Sequence, residues 1–158
     1  MLKAGSLLIA LACISGVAAF QAGSDSVDHD EAIRQAILKV HKAMTDTGPD
    51  VDRFFDFILD FDNGMIIQDG LLFKTSNEAY DAVKKGYNGV SEVERTYDQT
   101  YVQVLSSESA LLTATGHTAV TLTDGRTFNS KFAVSMVFVL RDGKWKVLHG
   151  HFSVPNPR

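Results

Sequence analysis

The closing stretch WKVLHGHFSVPNPR, residues 145–158, carries two imidazoles, His149 and His151, separated by one glycine. Imidazole titrates nearer neutral pH than any other side chain, so either ring suits general acid or base work. If the stretch is a strand, alternation places Trp145, Val147, His149, His151 and Ser153 on one face, the two histidines about 7 Å apart at a rise of ~3.3 Å per residue. That spacing also permits chelation, but zinc or iron needs a third ligand. His29, His41 and His117 form no HxxxH or HExxH pattern and no carboxylate cluster accompanies them, so no metal or other cofactor is expected. For proton chemistry the pattern offers Asp98, with Tyr97 and Tyr101, on an adjacent part of the predicted sheet. The candidate catalytic set is therefore His149, His151 and Asp98. The competing structural reading has the histidines bonded to polar neighbours at a core edge under Trp145.

Other chemistry-bearing patterns are weaker. Asp60, Asp62 and Asp69 lack the spacing and terminal glutamate of a calcium loop and read as turn residues. No nucleophile elbow, phosphate-cradling loop or dinucleotide fingerprint is present. Phe54, Phe57, Phe61 and Tyr87 read as core, some of them available to a cavity between helices and sheet. Trp145, Tyr97, Tyr101, Phe54, Phe57 and Ser153 are the candidate pocket residues.

These side chains need a scaffold, and 158 residues with 45% apolar content suit one domain with a real core. A net charge of −4 and the lack of basic runs argue against nucleic acid or an anionic membrane as partner. Residues 1–19, MLKAGSLLIALACISGVAA, combine Lys3, an apolar run and small residues at Val17 and Ala19, the pattern of an export signal cleaved near Ala19–Phe20. The run is too short and too interrupted for a stable membrane span. The chain is thus expected to be exported, periplasmic or secreted, with lipidation at Cys13 as the minor alternative. Without that segment no thiol remains.

A polar spacer at 20–27 precedes the domain, 28–158. Asp25 or Ser26 is expected to cap a helix with the stripe Ile33, Ile37, Val40 and Met44, ended by Gly48-Pro49. Val51, Phe54, Phe55 and Ile58 suggest a second, short helix. Asn63-Gly64 and Asp69-Gly70 then bracket a short strand. Thr75-Ser76-Asn77-Glu78 has the form of a capping box for a third helix that turns Ala79, Tyr80, Val83 and Tyr87 inward and stops near Gly86 or Gly89.

Four β-rich runs follow, at about 93–105, 109–123, 126–141 and 144–154. Ser106-Ser107, Asp124-Gly125 and Asp142-Gly143 mark hairpins between them. Helices first and an antiparallel meander second make the fold class α+β. In the second run Leu112, Ala114, Val120 and Leu122 share a face opposite Thr113, Thr115, His117 and Thr121. In the third, Phe128, Phe132, Val134, Met136 and Phe138 lie opposite Ala133, Val137 and Val139, so both faces are apolar. The second of these faces is expected to meet another subunit.

The segments RDGKWKVLHGHFSVPNP (141–157), VQVLSSESALLTATG (102–116) with DGRTF (124–128), and FDNGMIIQDGLLFKT (61–75) resemble the SnoaL-like and DUF4440-type domains of the NTF2-like superfamily. The resemblance spans roughly residues 28–157. It implies a cone in which N-terminal helices pack on a strongly curved antiparallel sheet, a ligand pocket between them, and a homodimer formed through the outer sheet face. The superfamily ranges over isomerases, cyclases, dehydratases, hydrolases and binding modules, so the fold does not select a reaction. The final hairpin is also similar to the association domain of calcium/calmodulin-dependent kinase II, whose pocket arginine is replaced here by Met136. The Asp and Tyr arrangement of ketosteroid isomerase has no matching motif. The resulting expectation is an exported protein that binds a small, largely apolar molecule, with acid–base turnover by the histidines as its enzymatic version. The alternative is a non-catalytic dimerisation or binding module of the cell envelope.

Overall fold

The computed structural model describes residues 18–155, with side chains from Ser26 onward. Cys13 and nearly all of the expected signal segment lie outside the described residues. Three helices come first: α1 (Ala18–Thr45), α2 (Val51–Phe55) and, after the short strands β1 (Ile66–Gln68) and β2 (Leu71–Phe73), α3 (Ser76–Gly86). Four longer strands follow: β3 (Val90–Ser106), β4 (Ser109–Leu122), β5 (Thr127–Arg141) and β6 (Lys144–Ser153). No helix among the described residues is long and apolar enough to cross a membrane.

Helix α1 buries Ile33, Ile37 and Met44 of the expected stripe against Leu112, Met136 and Phe138 of the sheet, with Val40 half-buried beside them. Its start departs from expectation. Asp25 and Ser26 lie inside the helix, because residues 18–24 contain no proline to break the hydrogen-bonded path and helical backbone continues through them. Asp50 caps α2 by accepting from Arg53 N at 3.1 Å. The capping box on α3 forms: Thr75 Oγ1 accepts from Glu78 N at 3.2 Å, while the Glu78 carboxylate accepts from Lys74 N at 2.7 Å.

The six strands run in the order β2-β1-β6-β5-β4-β3. Every pair is antiparallel except β1 with β6, which are parallel (Ile66 opposite Gly150), so the sheet is mixed rather than wholly antiparallel. The chain returns to the start of the sheet only after the long meander, which lays β6 beside β1 in the same direction. The segment before β1 extends this edge: Val147 N donates to Phe57 O at 2.8 Å, and Leu59 N donates to Val147 O at 2.9 Å.

Glycines permit two close approaches on the inner face. A Cβ at Gly116 would lie 2.1 Å from Thr96 O and 2.8 Å from Phe132 Cζ. One at Gly150 would lie 2.7 Å from the Phe152 ring. Both positions let an aromatic ring come close against the backbone.

Candidate functional site

Helices and the inner sheet face enclose an open cavity of about 530 Å³. Its wall is mostly apolar: Met44 from α1, Val51 and Phe54 from α2, Ala82 and Val83 from α3, and Phe132, Val134, Met136 and Phe152 from the sheet. Among the described residues, the ionisable groups on the wall are Asp69, Tyr87, Arg95 and Tyr97.

Two β-bulges decide which candidate side chains reach this cavity. On β6 the pairing passes from Val137–His149 to Phe138–Val147, so Leu148 is an extra residue. An extra residue reverses the alternation beyond it. Trp145 and Val147 pack into the core, but past the bulge it is Gly150 and Phe152 that face inward, opposite Met136 and Val134. His149 and His151 therefore turn to the outer face, opposite Val137 and Ser135, and neither lines the cavity. Trp145 packs against the core without reaching the cavity wall.

The second bulge lies on β3, where pairing passes from Tyr97–Gly116 to Gln99–Thr115 and leaves Asp98 over. Tyr97 faces inward and lines the cavity, while Tyr101, opposite Thr113, faces outward and is 63% exposed. Asp98 Oδ2 lies 3.1 Å from His117 Nδ1 in a half-exposed pair. Two strands separate β3 from β6, about 14 Å of sheet at ~4.8 Å per strand, so Asp98 does not meet His149 or His151. Phe54 and Ser153 line the cavity, whereas Phe57 packs against the core outside it. Of the candidate catalytic and pocket residues, the cavity brings together Tyr97, Phe54 and Ser153; Tyr87, read as core, and Asp69, read as a turn residue, line it as well. Among the described residues no three His, Cys, Asp or Glu side chains converge as metal ligands would.

The polar part of the wall was not singled out by motif. Arg95, Thr118 and Ser130 are mutual cross-strand neighbours on β3, β4 and β5, and all three line the cavity. Arg95 Nη2 donates to the Tyr87 hydroxyl at the end of α3, while Nη1 is buried without a hydrogen-bond partner. The signal for this arginine lay in alternation alone: Val93, Arg95 and Tyr97 share parity, and a cation on a face with a buried valine is anomalous.

Beneath Arg95, His41 of α1 is buried, its ring 4.7 Å from that of Tyr97 in an edge-to-face contact. Burial, with a smaller push from the Arg95 charge, lowers the His41 pKa to about 4, so the ring is neutral near pH 7. Thr45 Oγ1 donates to His41 O at 3.0 Å and lies 3.1 Å from Tyr97 Oη. Burial raises the Tyr97 pKa, against the opposing effects of the Thr45 bond and the Arg95 charge, and keeps the phenol protonated. The wall thus offers hydroxyl groups, one guanidinium and, at its far edge, the Asp69 carboxylate to a mostly apolar chamber.

Comparison with known proteins agrees with this architecture. A candidate dehydratase of the NTF2-like family from Streptomyces avermitilis superposes with a TM-score of 0.69 at 12% identity, covering 81% of this chain and 99% of that one. A candidate scytalone dehydratase from Novosphingobium aromaticivorans gives 0.71 at 10% identity, covering 82% and 88%. The association domain of C. elegans CaMKII gives 0.62 at 17% identity, covering 80% and 98%. At these identities the likeness is one of fold. A search of curated protein sequences returns no match. The SnoaL-like domain model matches residues 33–157, from the first buried isoleucine of α1 past the end of β6, and the chain therefore belongs to the SnoaL-like family.

Proposed function

We propose that this protein binds a small, largely apolar molecule in the chamber between its helices and the inner sheet face. The observation that carries the reading is the open cavity of about 530 Å³, walled mainly by Phe, Val, Met and other apolar side chains, with Tyr87, Arg95, Thr118 and Ser130 forming a polar group at one side. Similarity to candidate dehydratases adds support for small-molecule handling. Binding is favoured over acid–base turnover because His149, His151 and Asp98 stand off the cavity wall, and burial holds the Tyr97 phenol on that wall protonated. Native mass spectrometry of protein purified from its own host tests this directly. Wild type should retain a bound mass, and Ala82→Trp, which plugs the chamber from an exposed position on α3, should lose it while staying folded. An empty wild-type chain, or a bound mass indifferent to the tryptophan, overturns the reading.

A homodimer through the outer sheet face belongs to the same proposal. That face presents Tyr101 beside half-buried Leu111 and Val137, with Leu105 exposed at its rim. Export is proposed from the signal-like pattern of residues 1–19. N-terminal sequencing of protein recovered from fractionated host cells should read Phe20 as the first residue. An intact Met1 would refute export.

A further inference from the structure

The chamber's polar groups say more about its occupant than its volume does. Arg95 is the only cation on the wall among the described residues, and it makes no ion pair with any carboxylate there. One guanidinium nitrogen, Nη2, is held by the Tyr87 hydroxyl, and the other, Nη1, is buried with nothing to donate to. Nη1 shares this buried, unpaired state with His41 Nε2 below it; toward the chamber Arg95 presents an uncompensated positive charge on an apolar wall, which marks a place where an anion belongs. Accepting from Arg95 leaves the Tyr87 hydrogen available for donation. Thr118 and Ser130, cross-strand neighbours of Arg95, add two hydroxyls on the same wall. The next inner positions, Tyr97, Gly116 and Phe132, begin the apolar part of the chamber.

We infer that Arg95, with the Tyr87, Thr118 and Ser130 hydroxyls, binds the carboxylate of an organic acid whose apolar body fills the rest of the chamber. This rests on the ligand-binding reading above and narrows it to a substrate class. The charge count selects the headgroup: a single guanidinium balances a monoanion, whereas a phosphate dianion would leave a negative charge in an apolar chamber. Planar guanidinium and planar carboxylate also match in hydrogen-bond geometry. Among the described residues the one carboxylate on the wall is Asp69, which is exposed and whose Oδ1 accepts from Val154 N at 2.7 Å; it makes no ion pair with Arg95.

Isothermal titration of the purified full chain with octanoate, octanol and octyl phosphate separates the possibilities, since the three share an apolar body and differ in headgroup. Octanoate should bind roughly ten- to hundred-fold more tightly than octanol, the range expected of charge-assisted hydrogen bonds, and more tightly than octyl phosphate. Arg95→Met should remove that preference while leaving octanol binding in place. Arg95→Lys, which keeps the charge, should retain part of it and guards against misfolding of the methionine variant. Equal affinity for octanoate and octanol in wild type overturns the carboxylate assignment but leaves a ligand chamber. Preference for octyl phosphate overturns the headgroup. Failure of all three probes to bind overturns both this inference and the reading it rests on.

Discussion

His41 shows how one residue can make a fold sensitive to pH. Its folded pKa, about 4, lies below the ordinary value of 6.5, so between these values the unfolded chain binds a proton that the folded chain refuses. Stability is complete above pH 6.5 and declines as pH falls toward 4, by about 3 kcal/mol over that interval. Urea unfolding at pH 7 and pH 4.5 should reveal the loss, and His41→Met should flatten it, leaving whatever slope the carboxylates contribute. A slope unchanged by the substitution would mean that His41 is protonated in the fold. Gly116 makes a second residue-level point. Its replacement by alanine pushes a Cβ into Thr96 O, an overlap with backbone that side-chain rotation cannot relieve. Gly116→Ala should cost roughly 2 kcal/mol or more in chemical denaturation. Gly86→Ala, with open space around its Cβ, should cost almost nothing.

The two bulged strands explain why the histidine motif and the cavity part company. Within β6, a single extra residue at Leu148 sends His149 and His151 to the outside, while Phe152 takes the inner position. Within β3, Asp98 plays the same part, separating inward Tyr97 from outward Tyr101. The double variant His149→Gln, His151→Gln should therefore leave octanoate affinity within about twofold of wild type, as for substitutions remote from a site. Gly150→Ala acts on the same strand from the other side. By crowding the Phe152 ring it should weaken octanoate binding measurably in the same titration.

The complete chain has two sheet faces with different tasks. The inner face holds the core and the ligand chamber, and the outer face carries the proposed subunit contact. A stable dimer needs about 800 Å² from each partner, an area a four-stranded face of this length can offer. Aromatic side chains tend to dominate such contacts, so Tyr101→Glu should weaken association by tenfold or more and shift the sedimentation profile toward monomer. Because Tyr101 lies off the cavity wall, ligand binding by the monomer should persist. Loss of both properties together would place Tyr101 in the core rather than at a contact.

Much of this molecule was legible before any fold was seen, because its cues are local. The spacing of Ile33, Ile37 and Met44, the Thr75–Glu78 capping box and the Asp-Gly turns each act through neighbours a few residues away, and the helices and hairpins formed where these cues lie. The family was readable for the same reason, since its motifs are contiguous. What tertiary structure alone decided was which way side chains point beyond a bulge and what they meet. Strict alternation carried His149, His151 and Tyr101 into a pocket they do not enter, because the extra residues at Leu148 and Asp98 are visible only once strands pair across the sheet. Arg95 became a candidate only when Thr118, Ser130 and Tyr87, between 8 and 35 positions away in sequence, closed around it and left one guanidinium nitrogen unanswered. A charge is ordinary in a list of residues; its burial without a partner is a property of the packed chain.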